Sequence, residues 1–266
     1  MTESTAGSLI VRREGPLAWL VVNRPAAHNA LNAEVWRGLT SAFRALQSEI
    51  EVRVIILRGA GDEAFISGAD ITEFTAIRAN AEMAAAYDQL AGEALQALME
   101  APQPVIAMIN GLCYGGGLLI ALICDLRFAS EQARFAIPAS RLGLAYPMER
   151  GVERLIQVVG PTHAADILLS GRTLEAAEAW RIGLVNRVVA PDELEQMTIE
   201  YALHLAESAP LTLAAHKLEL QQALLPHSER DYARIQAAIQ RCAGSADYQE
   251  GIAAFLEKRK PRFTGR

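Results

Sequence analysis

Two short stretches carry the chemistry in this sequence: Ser67-Gly68-Ala69-Asp70 and Gly115-Gly116-Gly117. Each follows a run of buried-strand character and leads into helical periodicity. A loop entering a helix presents backbone N–H groups that lack helical partners, and the helix adds partial positive charge there. Such groups hold anions. If both loops face one pocket, two N–H donors meet on one oxygen. That is an oxyanion hole, in which one donor is worth roughly 2.7–4 kcal/mol of transition-state stabilisation.

Other uses of the glycines compete with this one. Counted from Gly115, the third glycine of a dinucleotide fingerprint would fall on Ile120, and Gln132 to Pro138 contain no acidic residue to hold a ribose. The sequence has neither a P-loop nor a G-x-S-x-G elbow. The plainer alternative is close packing of a helix on its strand, with glycine chosen for backbone approach.

The elements that must position these loops follow from periodicity. "SLIVRRE" and "LAWLVVN" read as strands around a Gly15-Pro16 turn. Asn32 is a helix N-cap ahead of Val35, Leu39, Phe43 and Leu46 at helical spacing. "VRVIILRG", "PVIAMIN", "CDLRFAS" and "ARFAIPA" read as strands, and "AFISGADITEF" as a loop running into a helix that Asp70 and Glu73 cap. Asp125 is expected to be a buried structural acid, paired with Arg127. From Pro161 the chain turns helical, including "TLEAAEAWRIG", with one strand at "VNRVVAP", and Pro161, Pro191 and Pro210 mark helix starts. The fold class is therefore α/β with a helical C-terminal part.

Composition narrows the function. With 266 residues, 51% of them hydrophobic, the chain can bury a full core. No apolar run approaches the ~20 residues of a membrane span, and "MTESTAGS" lacks a signal pattern. A net charge of −6 argues against nucleic acid. Cys113, Cys124 and Cys242 form no C-x-x-C and are expected to be reduced thiols. The five histidines form no HExxH, so no metal is expected. The expected location is the cytoplasm.

"NRPAAHNALN", "AFISGADITEF", "NGLCYGGGLLIALICDLRFA", "ARFAIPASRLGL", "GLVNRVV" and "AFLEKRKPRF" occur in one order along nearly the whole chain. In this the sequence resembles the crotonase superfamily, the enoyl-CoA hydratase/isomerase family. The resemblance implies a crotonase-like ββα spiral core, residues 1–200, binding acyl-CoA, and a helical C-terminal trimerisation region, residues 201–266. It implies a homotrimer or a hexamer built as a dimer of trimers. It implies an acyl-CoA thioester as substrate, with coenzyme A part of the substrate and no separate cofactor. The thioester oxygen would accept from the N–H groups of Ala69 and Gly116. Backbone groups at Ala64, Ser67 and Gly68 would flank the coenzyme, with Arg24 and Lys258 (or Arg259 and Lys260) as cationic candidates. The basic tail residues also suit a solvated helix end.

The sequence departs from the family where hydration needs it most. Hydratases of this family use two glutamates, one to activate water and one to deliver a proton. Those positions are Leu119 and Ala139. Neither side chain moves a proton, and general acid–base help is worth roughly 10²–10⁴-fold. Decarboxylation or hydrolysis thus becomes the expected chemistry. Hydration through another acid, with Glu149 as the candidate, and non-catalytic acyl-CoA binding remain open. Tyr146 is a candidate for the acyl pocket, and Ser140 and Arg141 lie nearby in sequence.

Overall fold

The computed structural model describes residues 2–4, 7–73, 80–145 and 151–266. Its spine is a seven-stranded sheet. Strands β1 (Thr2–Ser4), β2 (Leu9–Glu14) and β3 (Leu17–Val22) pair antiparallel in sequence order. Then β3, β4 (Val54–Gly59), β6 (Val105–Ile109), β8 (Leu126–Ser130) and β11 (Arg187–Val189) run parallel. A second sheet holds β5 (Ala64–Ile66), β7 (Leu112–Tyr114), β9 (Arg134–Ala136) and β10 (Leu174–Glu175), in the order β10-β9-β7-β5.

The chain alternates between these sheets. Strand β4 leads to β5 and then to helix α2 (Ala81–Glu100); β6 leads to β7 and then to α3 (Gly116–Ile123). Strand β8 leads to β9, a 3-10 turn at Pro138–Leu142, and then α4 (Val152–Ser170). Each circuit lays one strand beside its predecessor in both sheets, as the registers Ile106↔Leu126 and Leu112↔Arg134 show. This is the expected ββα coil.

Both faces of the large sheet are covered, so its parallel strands read as continuous apolar runs. Ala18, Leu20 and Val22 face the main core with Val35, Leu39, Phe43 and Leu46 of helix α1 (Ala33–Leu46). Leu17 and Trp19 face the opposite side, under Leu194 and Ala202 of the helix Leu194–Ala206. Asn32 caps α1 by accepting from the Val35 N–H at 2.9 Å. Pro161 begins a new helical stretch where Gly160 (φ 75°, ψ 165°) breaks α4. Among the described residues no helix is long and apolar enough to cross a membrane.

Three readings are corrected. Residues 64–66 are a strand rather than loop, and 174–175 a strand rather than part of a helix, because β5 and β10 exist only through pairing with neighbours. Strands β1 and β7, for which periodicity carries no signal, likewise exist by pairing. Residues 71–73 are helical, as expected after the first loop, and α2 has its own cap at Asn80. Asp125 pairs with Lys217 at 2.8 Å, not with Arg127. Arg127 instead donates to the carbonyls of Ala121, Cys124 and Leu184.

That Asp125 carboxylate also accepts from the Val105 N–H at 2.7 Å, and Lys217 donates to the Gln103 carbonyl at 3.0 Å. Lys217 lies on the helix Pro210–Ala223, so the pair ties the C-terminal helices to the start of β6. Truncating one partner strands a buried charge. Asp125→Ala is expected to lower unfolding free energy by about 3 kcal/mol, measured by urea denaturation.

Candidate active site

Strands β5, β7 and β9 lie side by side and parallel, so their C-terminal ends reach the same edge of the small sheet. Ile66, Tyr114 and Ala136 end the three strands. The turns that follow carry Ala69, Gly116 and Ala139. Ligands of α/β folds collect outside the carboxyl ends of parallel strands, and here three candidate residues come from three such ends.

The first loop is clamped by a residue outside it. The Leu31 N–H donates to the Gly68 carbonyl at 2.7 Å, and the Asp70 N–H donates to the Leu31 carbonyl at 2.9 Å. This is one parallel β-bridge between Leu31 and Ala69. In such a bridge Ala69's own N–H and C=O point away from Leu31. Among the described residues the Ala69 N–H meets no acceptor. Asp70 completes the loop. Its Oδ1 accepts from the Thr72 N–H (3.1 Å) and hydroxyl (2.6 Å), and its Oδ2 from Arg24 at 2.8 Å. The Thr72 and Arg24 bonds outweigh burial and hold its carboxyl below the usual range. Arg24 also donates to the Ala30 carbonyl at 2.7 Å, so its guanidinium braces the loop from behind.

The second loop is folded onto the first. The Gly115 N–H donates to the Ala136 carbonyl at 2.8 Å. Gly116 opens helix α3, and among the described residues its N–H meets no acceptor. A Cβ on Gly117 would overlap the Ile66 carbonyl oxygen, so this glycine is required by close approach. A Cβ on Gly68 would lie 3.3 Å from the Tyr114 carbonyl oxygen, which places the two loops in contact. Two N–H groups without acceptors among the described residues thus sit on adjoining loops, backed by a helix of buried Leu118, Leu119, Ile120, Ala121 and Leu122.

The family model described as enoyl-CoA hydratase/isomerase matches residues 12–266. The chain belongs to the enoyl-CoA hydratase/isomerase family. It is 34% identical to the short-chain-enoyl-CoA hydratase of Clostridium acetobutylicum, over 95% of this chain and 96% of that protein. It is 36% identical to the 2,3-dehydroadipyl-CoA hydratase of Escherichia coli, over 97% of this chain and 99% of that one. An enoyl-CoA hydratase/carnithine racemase structure from Magnetospirillum magneticum superposes with a TM-score of 0.92 at 39% identity, covering 99% of this chain and 97% of its own. The protein is thus an enzyme-family member with the crotonase fold.

Leu119 lies one helical turn after Gly116 and is buried. Its side chain packs on Gly151, whose φ of 138° and missing Cβ leave room for it. Ala139 is also buried, and its carbonyl accepts from the Leu144 N–H at 3.0 Å. Ser140 and Arg141 are exposed. Tyr146 and Glu149 lie outside the described residues.

The candidate cations are distributed unevenly. Arg259 pairs with Glu250 and Glu257, and Lys260 with Glu207. Lys258 is exposed, with a left-handed φ of 54°, and forms no ion pair among the described residues. Ala64 lies within β5, and its carbonyl accepts from Asn29 at 2.7 Å; the Ser67 N–H donates to the His28 carbonyl at 3.1 Å. Cys113 and Cys124 are buried free thiols, and burial pushes Cys124 up to about 12.

Sequence reasoning did not single out Leu31, which carries no chemistry of its own. Its only sequence signal is its place one residue before the Asn32 cap. The Gly117 contact predicts an asymmetry between neighbouring glycines. Gly117→Ala meets a backbone carbonyl, whereas Gly116→Ala meets the movable end of the Leu31 side chain. Gly117→Ala is expected to destabilise by about 2 kcal/mol more than Gly116→Ala, measured by thermal and urea unfolding of both variants.

Proposed function

We propose that the chain binds an acyl-CoA thioester with its carbonyl oxygen at the N–H groups of Ala69 and Gly116, and stabilises an enolate formed there. The observation that carries this reading is the combination of two N–H groups lacking acceptors among the described residues with buried, apolar Leu119 and Ala139 in the adjoining turns. Such a site supplies charge stabilisation and no proton carrier at those two positions. The reaction it suits is loss of carbon dioxide from a malonyl-type thioester. The bond between Cα and the carboxylate breaks, and its electron pair moves into the enolate. Carbon dioxide leaves, and a solvent proton then adds to Cα. Thioester hydrolysis would use the same hole with water activated elsewhere.

In this reading backbone groups at Ala64, Ser67 and Gly68 flank the coenzyme, and Lys258 reaches its phosphates. Tyr146, Leu119 and Ala139 line the acyl end, while Arg24 steadies the first loop through Asp70. The C-terminal helices serve assembly as a homotrimer or hexamer. In support, they expose Leu220, Leu224, Ile252, Phe255 and Leu256, with Phe255 82% exposed, a level of apolar exposure that usually marks an interface.

A second reading has its own support. The relatives above are named hydratases, so hydration through Glu149 is the alternative. The purified protein is expected to release carbon dioxide from malonyl-CoA or methylmalonyl-CoA with saturation, and to hydrate crotonyl-CoA only near background. Gly116→Pro removes one donor and should lower turnover by roughly 10²-fold or more. Rapid crotonyl-CoA hydration, lost in Glu149→Gln, would replace this reading with the hydratase one. Binding of CoA thioesters by calorimetry without turnover across a broad panel would make the chain a non-catalytic binder.

A further inference from the structure

Behind the first loop runs a buried hydrogen-bonded chain that the proposed reaction does not use directly. The Trp36 indole N–H donates to the Tyr87 hydroxyl at 3.0 Å, and the Tyr87 hydroxyl donates to the Leu31 carbonyl at 3.1 Å. All three residues are buried. Trp36 lies on α1 and Tyr87 on α2, so two helices from different parts of the chain meet at one backbone carbonyl.

That carbonyl is the one that holds the loop. Leu31 O accepts from both Tyr87 and the Asp70 N–H, and Leu31 N–H donates to Gly68 O, so residues on either side of Ala69 are fixed to Leu31. The same residue touches the second loop. A Cβ on Gly116 would lie 2.9 Å from Leu31 Cδ1 and 3.8 Å from Trp36 Cζ2. Leu31 thus holds the Ala69 loop through its backbone and touches Gly116 with its side chain.

A phenylalanine would fill the space of the Tyr87 ring without burying a hydroxyl, which costs free energy unless the hydroxyl is bonded. Here the hydroxyl both accepts and donates, and its proton goes to the carbonyl that sets the loop. Donors of an oxyanion hole act by being fixed before charge develops, and small displacements of such groups are felt in rate. We infer that Tyr87, with Trp36 behind it, is a positioning residue that fixes the Leu31 backbone and through it the Ala69 N–H group. This rests on the oxyanion reading proposed above.

The test reads the polarisation of a bound thioester rather than turnover. Hexanoyl-CoA, isotope-labelled at the thioester carbonyl, is bound to the full-length protein, and the carbonyl stretch is recorded by difference infrared spectroscopy. The wild-type protein should lower the stretching frequency relative to free hexanoyl-CoA. Tyr87→Phe should bind the probe with little change in affinity and lose at least half of that shift. Trp36→Phe keeps the Tyr87–Leu31 bond but removes its orienting donor, so it should lose a smaller part, and it serves as the test if Tyr87→Phe does not fold. Asp125→Ala, destabilised away from the loops, should keep the full shift. A full shift in Tyr87→Phe, or in Trp36→Phe where that variant alone folds, overturns the inference and leaves the oxyanion reading standing. An equal loss in Asp125→Ala overturns it too, because general loosening would then explain the effect. No shift in the wild-type protein overturns the oxyanion reading and this inference with it.

Discussion

The site depends on one backbone contact that a side chain would forbid. Helix α3 begins so close to β5 that Gly117 lies against the Ile66 carbonyl. This contact brings the end of β7 against the loop after β5, and it sets where Gly116 presents its N–H. The parallel pairing of β5, β7 and β9 supplies the approach, and the missing Cβ allows its last step. Gly117 serves packing, one of the two uses weighed for the triplet. The N–H of Gly116 next to it meets no acceptor among the described residues. The plain use of one glycine creates the position of the other.

The long elements were legible in the sequence, and the short ones were not. Strands β3, β4 and β6 are buried on both faces and read as apolar runs, and α1 shows its stripe together with its Asn32 cap. The small sheet is different. Three-residue strands such as 64–66 and 112–114 cannot display an alternation, and they exist because the previous turn of the coil offers a partner. The partner of Asp125 was hidden for the same reason. Arg127 is near in sequence, but its guanidinium is taken up by three carbonyls, and Lys217 arrives from a helix that only the tertiary fold brings there. The donor loops themselves were legible because glycine at a strand-to-helix turn states a backbone requirement. Their clamp was not, since Leu31 acts through its main chain and any residue type could supply that bridge.

Membership of the family does not by itself fix the reaction at this site. The chain superposes on one solved structure of the family with a TM-score of 0.92 at 39% identity over almost the full chain. Function resides in particular groups grafted on such a fold. Leu119 is not a glutamate position left vacant. It fills its space against a glycine that has no side chain, and Gly151 with φ of 138° is a conformation that few other residues adopt. Residues 119 and 151 therefore fit each other as a packed pair.

Electrostatics give the same substitution a direction. A glutamate near the reacting carbons serves a neutral enoyl group, but it opposes an acyl group that carries its own carboxylate. Two like charges 4 Å apart repel by about 4 kcal/mol at an effective dielectric of 20. In the proposed reading, leucine and alanine at residues 119 and 139 remove that repulsion. An apolar surround also weakens solvation of a substrate carboxylate and favours the form in which its charge has moved onto the enolate oxygen. In the proposed reading, leucine and alanine at residues 119 and 139 are thus the side chains that suit a dicarboxylic thioester, whose own carboxylate bond supplies the electrons of the enolate.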